Sequence, residues 1–203
     1  MSNQNDNVVD AFIDLRSPYS YLALQPARTL AQRSGIIFDW WPYITDFRSA
    51  YGGEIEQRSS RDIAKLKYLY MDCRRMAKLR GLTIRSTTKL WNVSLASQAM
   101  LFAKSRDRLW EFCDPLLAAF WRREFDLESA AELEATLCRA GLQPHDWRRY
   151  LELSAQHDLA AAVEHAERLG VFGAPTFAYQ GELFWGNDRL DLLANSISPV
   201  MCP

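Results

Sequence analysis

The order of hydrophobic and polar residues in the N-terminal part of the chain predicts a strand, a helix and a second strand. Residues 8–15 form a short run of β-branched and aromatic side chains that stops before Ser17-Pro18, as a buried strand would. Apolar side chains then recur at helical spacing from Tyr21 to Ala31, and Gly35 suits the end of a helix. Residues 36–41 again have the composition of a strand. A β-α-β order predicts two parallel strands joined by a right-handed crossover.

The middle of the chain has the apolar spacing of helices. Residues 42–60 are expected to form a loop with a turn at Gly52-Gly53, and residues 61–80 an amphipathic helix stopped by Gly81. Asp114-Pro115 is expected to kink or restart a later helix, because proline has no backbone N–H to donate. Helices are predicted at about 94–104, 107–123, 127–140, 144–153 and 155–169.

Strand patterns return towards the C-terminal end of the chain. Residues 176–179 and 182–185 flank Gln180-Gly181, which suits a hairpin turn, and a last helix begins near Asn187-Asp188. Without the helical block, the order β-α-β then α-β-β-α is the plan of a thioredoxin domain. We therefore expect an α/β, thioredoxin-like fold with a large all-helical insertion. The expected division is 1–45 and 154–203 for the thioredoxin-like domain and 46–153 for the helical insertion.

The composition narrows the class of protein. The 203 residues are 48% hydrophobic, which excludes global disorder, and 24 basic residues against 25 acidic ones argue against a nucleic-acid binder. No apolar run reaches the roughly 18 residues that cross a membrane, and the first ten residues have no features of a secretory signal. We therefore expect a cytoplasmic protein with no membrane or nucleic-acid partner.

Cysteine and histidine spacing predicts neither a metal site nor a disulfide framework. The four cysteines include no CxxC pair, and the three histidines form no HxxxH or HExxH pattern. Three of the cysteines fall in predicted helices and are expected to be small buried hydrophobes. The cysteines are Cys73, Cys113, Cys138 and Cys202, and the histidines are His145, His157 and His165.

The first candidate for chemistry is Ser17-Pro18-Tyr19-Ser20, where the first strand meets the first helix. Ser17 and Pro18 suit the cap and the first residue of a helix, and this role alone would explain them. In a thioredoxin domain, however, this junction holds the redox pair, at a helix end that stabilises a thiolate. Because Ser17 and Ser20 occupy both positions, this chain cannot exchange disulfides there, and the sulfur would have to come from a ligand.

Two further segments suit a peptide-like ligand. Pro175 either is an ordinary trans proline at a strand entrance or is the cis proline of a thioredoxin domain, in which case Ala174 offers its backbone to a partner. Asn187 and Asp188 either only cap the last helix or bind the ammonium and carboxylate of an α-amino acid head. On the basic helix 61–80, which is mostly a solvated face, Lys65 lies where it could reach an anionic ligand.

Taken together, these segments resemble one family. They are similar to the 2-hydroxychromene-2-carboxylate isomerases and, more widely, to the kappa-class glutathione transferases, which have a DsbA-like thioredoxin fold. The resemblance extends over residues of about 8 to 197, and residues 185–190 are closer to the isomerases than to the transferases. The matching segments, in the family's order, are 12–23, 65–69, 172–176 and 184–190.

The resemblance implies a homodimer that uses reduced glutathione to interconvert 2-hydroxychromene-2-carboxylate and trans-o-hydroxybenzylidenepyruvate in aromatic hydrocarbon (naphthalene) degradation. The thiolate would add transiently to the substrate, allow rotation about the former double bond, and leave unchanged. Ser17 would be the catalytic residue and would hydrogen-bond the sulfur. The glutathione-binding set implied by the resemblance is Ser17, Lys65, Ala174, Pro175, Asn187 and Asp188.

Two residues depart from the family pattern. Ala174 replaces a more usual valine, which matters little because the expected contact is through the backbone. Arg16 stands where a smaller or apolar residue is expected, and it or a basic residue of the 61–80 helix is a candidate to bind the carboxylate of the small aromatic substrate.

Two alternatives to the isomerase remain open at this point. A kappa-like glutathione transferase or peroxidase would act on other electrophiles, and a non-catalytic thioredoxin-fold protein would only bind a partner. A disulfide oxidoreductase is disfavoured by the serines at both redox positions.

Overall fold

The computed structural model describes residues 7–46 and 58–197. The predicted turn at Gly52-Gly53 and the fourth cysteine, Cys202, lie outside them. The chain divides into two compact units, one comprising the residues up to Tyr43 and from Ala162, the other Ile44–Ala161. The predicted helical insertion, residues 46–153, lies wholly within the second unit.

The first unit is built on a four-stranded mixed sheet in the order β2-β1-β3-β4. The first strand is parallel to the second and antiparallel to the third, which in turn pairs antiparallel with the fourth. The β-α-β opening is therefore a parallel pair, as predicted. The strands are β1 (Val8–Ile13), β2 (Ile37–Pro42), β3 (Thr176–Tyr179) and β4 (Glu182–Trp185).

The register of β1 against β3 decides which loops meet. Phe12, near the end of β1, is opposite Thr176, the first residue of β3. Because the two strands are antiparallel, the segment after β1 and the segment before β3 lie at the same end of the sheet. Ser17 and Ala174 are brought together in this way, although 157 positions separate them.

The hairpin between β3 and β4 confirms the predicted turn. Gln180 and Gly181 have φ angles of 49° and 83°. Positive φ at both central residues is what a two-residue turn of type I′ requires, and Gly181 adopts it without a side-chain clash.

Helix α1 (Pro18–Ser34) begins at the cap residue Ser17 and ends at Gly35, whose φ of 72° is left-handed. Its buried face includes Leu22 and Ala27. The helix packs against a 3₁₀ turn, Asn187–Arg189, and against the last helix, so α1 and the C-terminal helical segment belong to one packed layer. The last helix is α8 (Leu190–Ile197), and it follows the 3₁₀ turn directly.

The regular elements among the described residues of the second unit are all helices. Helix α2 (Ser60–Leu79) begins with a capping box, in which Ser59 accepts from the N–H of Asp62 and the Asp62 carboxylate accepts from the N–H of Ser59. Of its side chains, Cys73 and Ala77 are buried. The following helices are α3 (Ser94–Lys104), α4 (Leu109–Trp121), α5 (Ala130–Arg139), α6 (Pro144–Leu153) and α7 (Ala155–Arg168), the last of which crosses into the first unit.

Two predictions for the helical region need correction. Of the two alternatives for Asp114-Pro115, a restart of the helix is wrong, because α4 runs through Pro115 without a break. The buried side chains of Leu116 and Trp121 hold this helix in the core, which offsets the one hydrogen bond that proline removes. Cys138 is exposed rather than buried, because it lies on the side of α5 turned away from the core.

Candidate active site

The cap of α1 places the first candidate residue. The hydroxyl oxygen of Ser17 accepts a hydrogen bond from the backbone N–H of Ser20 at 3.2 Å and donates its own proton to the carbonyl oxygen of Ala174 at 3.3 Å. The Ser17 N–H is donated to the carbonyl of Asp14 at 2.9 Å. Ser17 is therefore both the helix cap and the link between the β1–α1 junction and the segment before β3.

The second serine of the pair has a different role. Ser20 is 2% exposed, and its hydroxyl oxygen accepts the backbone N–H of Asp14 at 3.2 Å. This buried contact stabilises the junction from within. Of the two serines that stand where a thioredoxin domain has cysteines, Ser17 is thus the more accessible one.

The segment before β3 contains a cis peptide bond between Ala174 and Pro175. Of the two alternatives left open by the sequence, the cis proline is the one found. The Pro175 carbonyl accepts the N–H of Gly186 at 2.9 Å, and the Thr176 hydroxyl donates to the carbonyl of Gly173 at 2.7 Å. The cis-proline segment is therefore tied both to Ser17 and to the segment after β4.

The segment after β4 presents the other predicted ligand residues. Gly186 has a φ of 119°, and a Cβ atom at this position would lie 2.5 Å from Oδ1 of Asp188. The Asp188 carboxylate therefore occupies space that is open only because residue 186 is glycine. Asp188 is exposed and pairs with Arg189 at 2.9 Å, whereas Asn187 is 7% exposed.

An exposed aromatic pair borders the cis-proline segment. Phe172 and Trp185 are 62% and 54% exposed, and their ring centroids lie 4.8 Å apart in an edge-to-face arrangement. A Cβ atom on Gly173 would be 2.7 Å from Nε1 of Trp185, so the indole packs directly on that glycine. Large apolar surface is therefore exposed within two residues of Ala174.

The two basic candidates have different environments. Lys65 is exposed on α2, in the second unit, where its charge helps to lower the pKa of Asp62 after the larger effect of the Ser59 hydrogen bond. Arg16 is 10% exposed, and its guanidinium makes two hydrogen bonds to the buried carboxylate of Asp14. Because Arg16 is already paired with Asp14, this ion pair would compete with a substrate carboxylate, and the suggested role of Arg16 in binding that carboxylate stays a prediction.

Among the described residues, no group of three or more histidine, cysteine or acidic side chains is arranged to hold a metal ion. Around Ser17 and the segments before β3 and after β4, the groups described above are a hydroxyl, a helix N-terminus, backbone groups and an exposed carboxylate. Ser17, Ala174 and Asp188 offer groups that a thiol-containing peptide could use: a donor for sulfur, a backbone for strand-like pairing and an acid for an ammonium group.

Sequence reasoning missed three residues of this arrangement. Asp14 lies in the predicted first strand and in the segment 12–23, but no role is predicted for it, although a carboxylate in an otherwise apolar run is a signal that it has a partner. Gly186 was quoted only within a motif, and its positive φ has no sequence signature beyond the glycine itself. Trp185 lies in the segment 184–190, but nothing in the sequence pattern indicates that its indole is exposed.

Comparison with known proteins defines the class. Residues 8–198 match the DSBA-like thioredoxin domain, and the chain belongs to this family. It is 29% identical over 196 residues to a 2-hydroxychromene-2-carboxylate isomerase of Pseudomonas putida, covering 94% of each chain. It is 27% identical over 190 residues to the protein of the same name from Sphingobium xenophagum, covering 91% of this chain and 95% of that one.

Solved structures agree on the fold. A 2-hydroxychromene-2-carboxylate isomerase superposes with a TM-score of 0.78 at 24% identity, covering 95% of each chain. A probable DsbA oxidoreductase from Streptomyces coelicolor superposes with a TM-score of 0.70 at 20% identity, covering 97% of this chain and 92% of the other. The predicted DsbA-like thioredoxin fold is thereby confirmed. None of the helices in residues 7–46 and 58–197 combines the length and hydrophobicity of a membrane span.

Proposed function

We propose that this chain is an isomerase that uses reduced glutathione to interconvert 2-hydroxychromene-2-carboxylate and trans-o-hydroxybenzylidenepyruvate. The names of the relatives that match nearly the whole chain support the reaction. The observation that carries the role of the thiol is the position of Ser17. Its hydroxyl caps α1 and hydrogen-bonds the carbonyl of Ala174, directly before cis-Pro175.

The Ser17 hydroxyl can change partners without loss of its helix cap. Its oxygen accepts the Ser20 N–H, while its single proton is donated to Ala174 at 3.3 Å. This distance exceeds the roughly 2.5–3.0 Å usual for O–H···O bonds, so the bond is weak. The proton is therefore available to a sulfur anion, and its transfer would free the Ala174 carbonyl to accept a peptide N–H.

Glutathione, when bound, would supply a thiolate that adds to and then leaves the unsaturated substrate, and so would return unchanged. A free thiol has a pKa of about 8.5, so only a few per cent is ionised at neutral pH. A charge-assisted hydrogen bond from Ser17 contributes about 1.5–3 kcal/mol, and the N-terminal end of α1 favours negative charge. The Ser17 hydroxyl and the N-terminal end of α1 would therefore raise the ionised fraction of the bound thiol.

The remaining binding residues are proposed from the same resemblance. Ala174 would pair its backbone with the cysteinyl residue of glutathione beside cis-Pro175, and Asp188 with Asn187 would bind the γ-glutamyl head. The exposed carboxylate of Asp188 supports its proposed contact with the ammonium of the γ-glutamyl head. The bound ammonium would share this carboxylate with Arg189. Lys65 as a contact for the tripeptide's charged groups stays a prediction.

The reaction is tested by following the ultraviolet spectrum of 2-hydroxychromene-2-carboxylate with the purified protein, with and without reduced glutathione. We expect isomerisation that requires glutathione and consumes none. A stable glutathione conjugate, detected by mass spectrometry, would instead identify a kappa-like transferase. If glutathione binds but neither isomerisation nor conjugation occurs, the chain is a binding protein.

We further propose a cytoplasmic homodimer, as the resemblance implies. Light scattering on the eluted protein should give twice the chain mass of 23.4 kDa. A mass of one chain at assay concentration would contradict the dimer and leave the proposed reaction untouched.

A further inference from the structure

Asp14 uses all of its polar groups within the junction that presents Ser17. Its side chain is fully buried, its carbonyl accepts the N–H of Ser17 at 2.9 Å, and its own N–H is donated to Ser20 at 3.2 Å. Its carboxylate accepts the backbone N–H of Arg16 at 2.8 Å. A single residue therefore fixes both serines that stand at the redox positions of the fold.

Arg16 completes this arrangement with its side chain. Its Nε donates to Oδ1 of Asp14 at 3.1 Å, and one terminal nitrogen donates to Oδ2 at 2.8 Å. This two-point geometry is specific to a guanidinium, which is planar and offers parallel donors. The pair is almost completely removed from water, so the orientation of Arg16 is fixed and its charge is cancelled locally.

We propose that Asp14 and Arg16 are positioning residues for the reaction of the Ser17 site. The pair holds the residues between β1 and α1 so that the Ser17 hydroxyl is aimed at the position of the sulfur. Because Asp14 cancels the charge of Arg16, the sulfur anion depends on the Ser17 hydroxyl and the α1 N-terminus, and another cation binds the substrate carboxylate. This inference rests on the proposed function.

The test compares Arg16→Met with Arg148→Met. Arg148 makes the same two-point contact with a carboxylate, that of Glu134 at 2.9 and 2.7 Å, but on the surface of the second unit. For Arg16→Met we expect kcat to fall about tenfold and the pH at which bound glutathione ionises to rise by about one unit. The KM for the chromene carboxylate should change by less than about threefold, and Arg148→Met should alter none of these values.

Removal of Arg16 alone also leaves an uncompensated anion near the sulfur, so a second variant separates charge from geometry. Asp14→Leu/Arg16→Met removes both charges and keeps the local net charge of zero. A raised ionisation pH in this double variant supports positioning, whereas recovery of the values of the unmodified protein would show that only charge mattered and would overturn it. Should the double variant not fold, Arg16→Lys retains the charge and loses the two-point geometry, and unchanged kinetics in that variant would overturn the proposal.

Other outcomes refute the inference separately from the proposed function. A KM raised more than about tenfold at constant kcat would mean that Arg16 binds the substrate carboxylate after all. A loss of thermal stability with unchanged kcat, KM and ionisation would mean a purely structural pair. If the unmodified protein binds no glutathione, the proposed function itself fails; if it binds and turns over, these variants decide the role of the pair alone.

Discussion

Replacement of Ser17 by alanine separates its two roles, because they have different energetic signatures. Loss of the hydrogen bond from Ser20 removes a helix cap, which costs about 1 kcal/mol. For a chain of this length, that lowers Tm by about 2–4 °C. Loss of the hydroxyl proton removes a charge-assisted bond to sulfur of about 1.5–3 kcal/mol, which corresponds to a rise of about 1–2 units in the pKa of the bound thiol.

Ser129→Ala is the matched control for this substitution. Ser129 caps α5 by accepting the N–H of Glu132 at 3.3 Å, and like Ser17 it is half-buried. We expect the same loss of thermal stability in both variants. Only Ser17→Ala should change the pH at which bound glutathione ionises, monitored by the ultraviolet absorbance of the thiolate, and should lower kcat about tenfold or more at neutral pH.

The result that refutes this reasoning is a Ser17→Ala protein that loses stability as Ser129→Ala does while it retains both turnover and thiol ionisation. Ser17 would then be a helix cap alone. An unchanged Tm would contradict the capping energy taken from the geometry, and would not bear on the role at the sulfur.

Three further predictions follow from other parts of the molecule. In Gly186→Ala, the new methyl group displaces the Asp188 carboxylate, so glutathione should bind about tenfold more weakly by calorimetry. Gly35 also has a positive φ but has open space around it, so Gly35→Ala should bind glutathione normally, and equal affinities of the two variants would contradict the role of Asp188. Burial raises the pKa of Tyr150, so its stabilising effect is complete below the ordinary pKa of 10.0 and is lost as the pH rises above it towards the folded-state pKa. Urea unfolding below and above pH 10.0 should show a smaller alkaline loss of stability in Tyr150→Phe, and an identical loss would refute the assignment. Native protein should react with a thiol reagent at Cys138, and peptide mapping that finds this residue unlabelled would contradict its exposure.

The regular elements were predictable because their signals are local. The alternation in β1, the capping residues of α1 and the turn at Gln180-Gly181 each lie within a few adjacent positions. The restart at Pro115 was wrongly predicted because a local rule about proline was applied to a helix whose buried side chains keep it continuous. The burial of Cys138 was wrongly predicted because helical periodicity identifies the buried face of a helix but does not fix the exposure of a residue at the border of that face.

The candidate site was predictable in its segments but not in its contacts. The bond from Ser17 to Ala174 spans 157 positions and depends on the antiparallel register of β1 and β3, which no short pattern encodes. The ion pair of Arg16 with Asp14 depends on side-chain rotamers at a junction, where neither helical nor strand periodicity applies. Such pairing influences whether a cation is available to the substrate, and it could not be read from the sequence around Arg16.

Calorimetric titration of the purified chain with reduced glutathione tests the central claim most directly. We expect saturable binding at one site per chain, weakened in Ser17→Ala and unchanged in Ser129→Ala. Absence of binding at millimolar glutathione, or equal affinity in all three proteins, would contradict the assignment of Ser17 as the residue that holds the sulfur.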